Sequence, residues 1–497
     1  MPQRDSSLAA AATRPVAHSF SFFVRPLLFP LLVSLLPLAV GGASAFAQAR
    51  TDNNALALSF DAARARMVDR SDKLAAARAA VESKELQSEG VKGLGGPSVS
   101  ISGLAYAYNA NLNLDLDPLN QKLGQIGSSL PPSIQGFISR VPIPQLPNSY
   151  TLNRHDTGAN ASISAVWPIY VGGATDAVRG FVSAQAREAQ ADAEQAGHEV
   201  DTLLVQRYFG AQLAQRAATL RAQAERTIAQ HDSAAQKMLA AGVISRVERL
   251  QASAAYEEAR RNARKAENDA ELAAVALART VRAEGSVAPQ TPLFLISTPI
   301  EPLGYFIDSA LTRHPGLGKV AAKKSQAEQL HEGEEALRRP QVIAFGTREL
   351  KSGNADWVAG VGVRWTLYDS IDRNALSASS LKQIEQAERT DAQARSDISL
   401  LVERNWRALE NARRQYLEMK ASVELAQEVV KLRTAGLREG TSTTLDLIDA
   451  ETNQAKVLTE RAQAANDYVQ ALAQLLESAG LSDKFSEYIA RADVRVN

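Results

Sequence analysis

No cysteine occurs anywhere in the 497 residues. Disulfides are thereby excluded, packing alone must hold the fold together, and an N-terminal lipid anchor attached through a cysteine is ruled out. Net charge of either sign is also lacking, because 55 Lys and Arg balance 55 Asp and Glu. Nothing in that balance favours nucleic acid as a partner. Beyond the first residues no apolar run reaches the ~18 residues or more of a membrane helix, and any insertion into a bilayer must therefore use strands. Proline is absent between Pro168 and Pro289 and again after Pro340. Those two stretches are rich in Ala, Glu, Gln, Lys and Arg, the strong helix formers.

What is present begins with Arg4, Arg14 and Arg25, a proline-broken apolar run from Pro26 to Val40, and the small residues Ala43 to Ala49. This is the pattern of a secretory signal peptide cut after Ala47 or Ala49. The exported chain would carry a net charge near −2, since residues 1–49 contain three Arg and one Asp.

The chain also nearly repeats itself. Trp167 and Trp365, Tyr170 and Tyr368, and Gly242 and Gly440 are pairs separated by the same 198 residues. Two copies at so large a period indicate a duplicated structural unit. From Ala174 to Ala241 a continuous helix would run about 100 Å at 1.5 Å per residue. In the last helical stretch Leu445, Ile448, Thr452, Ala455, Leu458, Ala462, Ala465, Val469, Leu472, Leu476 and Ala479 alternate by three and four, the seam of a coiled coil. Gly242 and Gly440 interrupt the helical pattern; Ser245 with Glu248, and Thr443 with Asp446, supply the capping signature of a returning helix. Each half thus reads as a long helix, a tight corner and a second, antiparallel helix.

Four short segments alternate with period two instead. In Ala159 to Trp167 the odd positions are apolar while Asn160, Ser162 and Ser164 are polar; in Trp357 to Trp365 the odd positions are again apolar, opposite Gly360, Gly362 and Arg364. Period two is the strand signature. Trp357 and Trp365 would stand about 26 Å apart along a strand, close to the ~25 Å apolar band of an outer-membrane barrel with its aromatic girdles. Trp167, Tyr170, Trp357, Trp365 and Tyr368 are the candidate interface aromatics. Partner strands start after Pro97 and Pro340, and the first pair is joined by a long loop, Asn109 to Asp156. Four strands cannot close a barrel, since the smallest use about eight; the strands must be shared between chains.

Catalytic signatures are missing. His331-Glu-Gly-Glu-Glu335 lacks the second histidine of a zinc helix, and Gly93-Leu-Gly-Gly96 lacks the Gly-Lys-Ser/Thr ending of a phosphate loop. The six histidines are scattered and expected at the surface, no cofactor motif is found, and Arg260 to Lys265 with Glu257, Glu258 and Glu267 forms a solvated helix face. No enzyme is expected.

On the Trp167-Pro-Ile-Tyr-Val-Gly-Gly173 junction, the corner Gly440-Thr-Ser-Thr-Thr-Leu-Asp-Leu-Ile-Asp-Ala450 and the segment from Leu472 to Gly480, the chain resembles the TolC-like outer-membrane efflux protein family. The resemblance implies a homotrimer in the cell outer membrane whose protomers each give four strands to one twelve-stranded barrel, continued into the periplasm as an α-helical coiled-coil tunnel. It also implies a periplasmic adaptor protein and an inner-membrane transporter as partners, with docking at Gly242, Ser245, Glu248, Gly440, Thr441 and Thr443. Asp446 and Asp449 fall where the family places aspartates at the periplasmic aperture. Ser442 departs from the basic residue of the best-known members. The fold expected is mixed α and transmembrane β, a duplicated strand-strand-long helix unit. Its segments are a signal peptide at 1–49; a first repeat at 50–290, with strands 98–108 and 158–168 and helices 174–241 and 245–284; and a linker at 291–302. A second repeat follows at 303–480, with strands 341–350 and 357–368 and helices 371–436 and 444–479, and then a tail at 481–497. The competing expectation is a periplasmic or surface coiled-coil structural or adhesive protein without a pore, against which the polar strand face at Asn160, Ser162, Ser164 and Arg364 argues.

Overall fold

The computed structural model describes residues 56–128, 147, 149–351, 353–368 and 370–496. The expected signal peptide and residues 129–146 of the long loop lie outside that range.

Two helix pairs of matched size organise the molecule. Helices α4 (Ala174–Ala240) and α8 (Arg373–Glu439) are each 67 residues long, and their returning partners α5 (Arg246–Thr280) and α9 (Thr444–Ser478) are each 35. At 1.5 Å per residue the long members reach about 100 Å and the short ones about half of that. The other half is flanked by α2 (Asp72–Gly90) and α7 (Pro315–Ala336). Polar side-chain bridges mark the two levels. Lys73 to Glu199 and Lys319 to Asp192 bridge α2 and α7 to the first half of α4, whereas Arg249 to Asp232 and His231 to Glu451 bridge α5 and α9 to its second half.

Where the short helices break, the chain builds a belt around the middle of the long ones. It contains α1 (Phe60–Arg70), α6 (Leu303–Arg313) and α10 (Phe485–Ala490). Two small sheets fasten it: β1 (Leu56–Leu58) runs parallel to β4 (Val287–Pro289), and β5 (Leu293–Leu295) antiparallel to β8 (Val494–Val496). Phe60, Tyr208, Phe209, Phe294 and Phe485 pack ring against ring with centroids 5.1 to 6.0 Å apart. The buried Tyr208 hydroxyl donates to the Leu58 carbonyl and accepts from the amides of Gln290 and Thr291, locking two belt segments to α4. Burial pushes its pKa up. The seam of α9 packs here too: Ala462, Ala465, Val469, Leu472, Leu476 and Ala479 are all buried, while Thr452, nearer the corner, is exposed and bonds back to the Ile448 carbonyl.

At the far end of the long helices four strands form one antiparallel sheet in the order β2 (Ser98–Asp115), β3 (Ser149–Val171), β6 (Gln341–Glu349), β7 (Trp357–Arg364). Among the described residues, neither outer strand, β2 or β7, pairs along its second edge. Pro168, which cannot donate to a ladder, sits in the inner strand β3, where the register slips between Pro168 and Tyr170.

Several expectations need correction. The first two strands are far longer than 98–108 and 158–168, because Asn109 to Asp115 pairs residue by residue with Ser149 to His155; both ends of the expected long loop are therefore strand, and helix α3 (Asp117–Ser128) follows β2 within the connection. Asn109, Asn111 and Asn113 are weak strand formers individually, but the unbroken antiparallel ladder overrides that preference. Strand β7 ends at Arg364, four residues before Tyr368. The linker supplies β5, and the tail is no appendage: Leu481, Phe485 and Tyr488 are buried in the belt. Among the described histidines, His314 accepts from the Gly316 amide to cap α7, and His231 and His331 bridge helices to Glu451 and Ser380; none of these three is fully exposed.

Candidate functional site: a two-faced sheet and two helix corners

Along the four-stranded part of the sheet, register assigns every side chain to a face. One row runs Trp167, Ala344, Val361; the next, Ala165, Gly346, Ala359; the next, Ile101, Ile163, Arg348, Trp357. Apart from Arg348, at the row farthest from the helices, this face is apolar. The opposite face carries Ser100, Ser164 and Thr347 in one row and Ser102, Ser162 and Glu349 in the next, with Gln341 opposite Arg364 nearest the helices. Hydroxyls bridge strands there, Ser102 to Ser162 at 3.0 Å and Ser164 to Thr347 at 3.1 Å. Val166, Ile343, Phe345 and Val358 interrupt this face with apolar side chains, the Phe345 ring covering the bare backbone of Gly360.

The aromatics fall at different places. Trp167, Tyr170 and Trp357 stand on the apolar face, half to three-quarters exposed. Trp365 lies just beyond β7, its indole N–H donating to the Arg338 carbonyl at 3.1 Å, and Tyr368 follows in irregular chain, 91% exposed. The strand-to-helix junction turns on Gly172 and Gly173, at φ +70° and +100°. Arg339 donates to the Gly172 carbonyl at 2.9 Å and fastens the junction to the end of α7. The Gly-Gly pair was visible in the sequence; its arginine was not.

The two corners are built alike. Gly242 and Gly440 take φ +72° and +76°, the left-handed conformation in which glycine closes a helix without a Cβ penalty. Val243 N–H reaches the Met238 carbonyl at 2.8 Å and Gly242 N–H that of Leu239 at 3.0 Å; Thr441 N–H reaches Gly436 at 2.8 Å. These spacings are those of a Schellman stop. The Thr441 hydroxyl adds a second donation to Gly436 at 3.2 Å. A side chain at Gly436 would collide with Ser442 and Thr441, a constraint that sequence spacing alone did not expose.

Both returning helices start in a closed capping box. Ser245 N–H donates to Glu248 Oε2 at 2.6 Å while Ser245 Oγ accepts from Glu248 N–H at 3.2 Å. Thr443 N–H and Oγ1–H donate to Asp446 Oδ2 at 2.9 and 2.8 Å, and Thr443 Oγ1 accepts from Asp446 N–H at 3.1 Å. The donated hydrogen bonds, from the backbone first, hold both carboxyls below the usual carboxylate range. Asp446 is therefore committed to the cap, whereas Asp449, one turn on, is exposed between the buried Ile448 and Ala450. Ile228, Ala235, Ala252 and Ile448 form a small apolar cluster that brings the two corners side by side.

The sheet and the corners sit at opposite ends of the same two long helices, an arrangement suited to a conduit. Comparison with known proteins agrees. Residues 306–481 match the family model of outer membrane efflux proteins. No curated protein sequence matches the chain. Among solved structures, the outer-membrane channel OprN is similar at 16% identity over 85% of this chain and 89% of that one, with a TM-score of 0.67. CusC, whose structures describe transmembrane channel formation, is similar at 13% identity, covering 85% and 92%, with a TM-score of 0.69. The Campylobacter jejuni outer-membrane channel CmeC is similar at 14% identity, covering 87% and 88%, with a TM-score of 0.67. At such identities the likeness is one of fold. The second repeat thus carries an outer membrane efflux protein domain, on a chain with the fold of TolC-like outer-membrane channels.

Proposed function

We propose that this chain is one third of a trimeric efflux or secretion channel in the outer membrane, conducting substrates passively from an inner-membrane pump and its periplasmic adaptor to the cell exterior. The observation that carries this is the two-faced sheet with two open edges. Four strands cannot enclose a lumen, and an open edge in a bilayer leaves backbone groups unsatisfied at several kcal/mol each. Three copies joined edge to edge give twelve strands and no edge. The apolar face of Ile163, Val361 and Val363 then meets lipid, with Trp167, Tyr170 and Trp357 on the same side, and the face of Ser162, Ser164 and Arg364 lines the pore.

In this arrangement the corners form the far rim of a helical tunnel. Residues Gly242 to Glu248 and Gly440 to Asp446 dock the adaptor, and threefold repetition of Asp449, with Asp446 behind it, gives carboxylate rings that favour cations. The fold comparisons support the channel class; the partners and rings rest on the corner geometry. A trimer from outer-membrane fractions that conducts in planar bilayers is the expected result, and cysteine crosslinking to the adaptor should succeed from Ser245 or Thr443 and fail from Ser379 near the sheet end. A non-conducting particle, or crosslinking in the reverse pattern, would contradict the assignment.

A further inference from the structure

The first hairpin does not stop where the four-stranded sheet stops. Beyond Glu349, the last residue of β6, β2 and β3 continue as a two-stranded ribbon in which Gly103 to Asp115 pairs with Ser149 to Ala161. Thirteen residues per strand carry it about 40 Å past the sheet. The ladder has no register shift over that length, and the two faces can be followed without interruption from the sheet into the ribbon. On doing so, the polarity changes sides.

Within the sheet the even positions of β2, Ser98, Ser100 and Ser102, are polar and the odd ones, Val99 and Ile101, apolar. Within the ribbon the even positions become Leu104, Tyr106, Tyr108, Leu112 and Leu114, while the odd ones become Asn109, Asn111, Asn113 and Asp115. Tyr150 joins the first set across the ladder and Thr151 and His155 the second. The even positions of β2 change at Leu104, where β6 ends, although Asn160 across the ladder keeps that row mixed; the odd face stays small through Ala105 and Ala107 and turns polar at Asn109. Tyr106 and Tyr108 stack at 6.0 Å, with the Tyr106 ring lying over Gly158, and Leu104, Leu112, Leu114 and Tyr150 are each roughly half exposed in the single chain. An isolated two-stranded ribbon is marginal in water, and an uncovered apolar face of this kind is not normally left to solvent.

From this inversion we infer that the apolar face of the ribbon is covered by the ribbons of the other copies of this chain, packed around the channel axis above the membrane. The inference rests on the trimeric channel proposed above. Side-chain parity fixes the direction: the face that lines the pore within the membrane is the same face that turns apolar outside it, and in a threefold ring that face points at its symmetry mates. The opposite face, lipid-directed below, is hydrophilic above, as an outer surface in water requires. The charged residues on the inner face, Arg154 and Asp156 on β3, are of opposite sign, and assembly around an axis therefore stacks no net charge there. The ribbons would narrow the outer mouth of the conduit with aromatic and leucine side chains.

The lack of native cysteine makes the test direct. Leu112→Cys and Asn111→Cys place single thiols at the same height on opposite faces. Treated with a short bismaleimide in detergent-solubilised trimers, Leu112→Cys should shift the denatured band from one chain to two, and Asn111→Cys should remain at one chain while still reacting with a soluble maleimide. Leu114→Cys provides the same readout should the first variant assemble poorly. Intact trimers in which neither leucine position crosslinks, or in which Asn111→Cys crosslinks equally, overturn the proposal and leave the channel standing. A detergent complex with the mass of one chain overturns both.

Discussion

Replacing Val361 by arginine tests which face of the sheet meets lipid, and the neighbouring Gly362 supplies the matched control. Val361 is the fifth of eight residues in β7 and lies in the row with Trp167 and Ala344, at mid-height of the apolar face. Arginine on the lipid side of a barrel near the midplane costs about 2–4 kcal/mol. At about 1.4 kcal/mol per tenfold change, that is roughly 30- to 800-fold in the assembly equilibrium for each chain, multiplied again when three chains insert together. Gly362 is one residue further on the opposite face. A Cβ there would lie 3.9 Å from the Ile343 carbonyl oxygen and 4.0 Å from the Phe345 ring, ordinary contacts that leave room for a longer side chain reaching into water. Gly362→Arg should therefore assemble at close to the unaltered yield. The readout is the amount of heat-modifiable trimer in outer-membrane fractions, confirmed by folding yield into lipid vesicles. Equal losses, or a greater loss for Gly362→Arg, would refute the assignment of the faces.

Other outcomes follow from the corners and the junction. Asp446→Asn together with Asp449→Asn should lower cation selectivity and block by multivalent cations in single-channel recordings without dispersing the trimer; unchanged selectivity would leave Asp446 only its capping role. Because hydrogen bonds depress the Asp446 and Glu248 carboxyls, the stability they contribute is present above the ordinary carboxylate range and lost as pH falls through their lower folded values. Amide exchange at residues 244–248 and 442–446, corrected for intrinsic rates, should stay flat between about pH 8 and 5 and rise only below the usual carboxylate range; a rise near neutrality would implicate other groups. Gly172→Ala forces an alanine to φ +70° and against the Ala336 carbonyl, costing at least about 1–2 kcal/mol from backbone conformation alone, and should lower the thermal midpoint more than Gly173→Ala, where a Cβ meets only the flexible Arg339 guanidinium. The opposite ranking would mean that the junction does not depend on the Gly172 approach.

Features set by short-range chemistry could be read from the chain. The corners are an example, because a glycine followed three residues later by Ser245 or Thr443, with an acidic residue three further on, is a complete local instruction for stopping one helix and starting another. The long helices follow from composition and the missing prolines, and the membrane-level strands from period two. The ribbon was hidden for a physical reason: alternation that changes parity between Ser102 and Leu104 looks like the end of a strand, and Asn109, Asn111 and Asn113 look like turn residues. Only the cross-strand register restores them to the ladder. The belt was hidden differently. Strands of three residues such as Leu293–Leu295 and Val494–Val496 have no measurable period, and their pairing across about two hundred residues leaves no local trace. Arg339 and Gly436 belong to the same class, residues whose importance lies in a contact made by the fold.

The belt has a further consequence for how such a molecule can change. Phe60 near the start of the described chain packs on Phe485 near its end, Ser486 hydrogen-bonds Asp61, and β1 and β8 are both stitched into the waist. Both extremities are consequently made from mid-chain turns: the strand connections at one pole and the Gly242 and Gly440 corners at the other. A turn can be lengthened, shortened or exchanged without rethreading a chain end through the structure, and the sheet end and the corner end are thus free to diverge separately. The waist, where nearly all the aromatic packing is concentrated, has no such latitude.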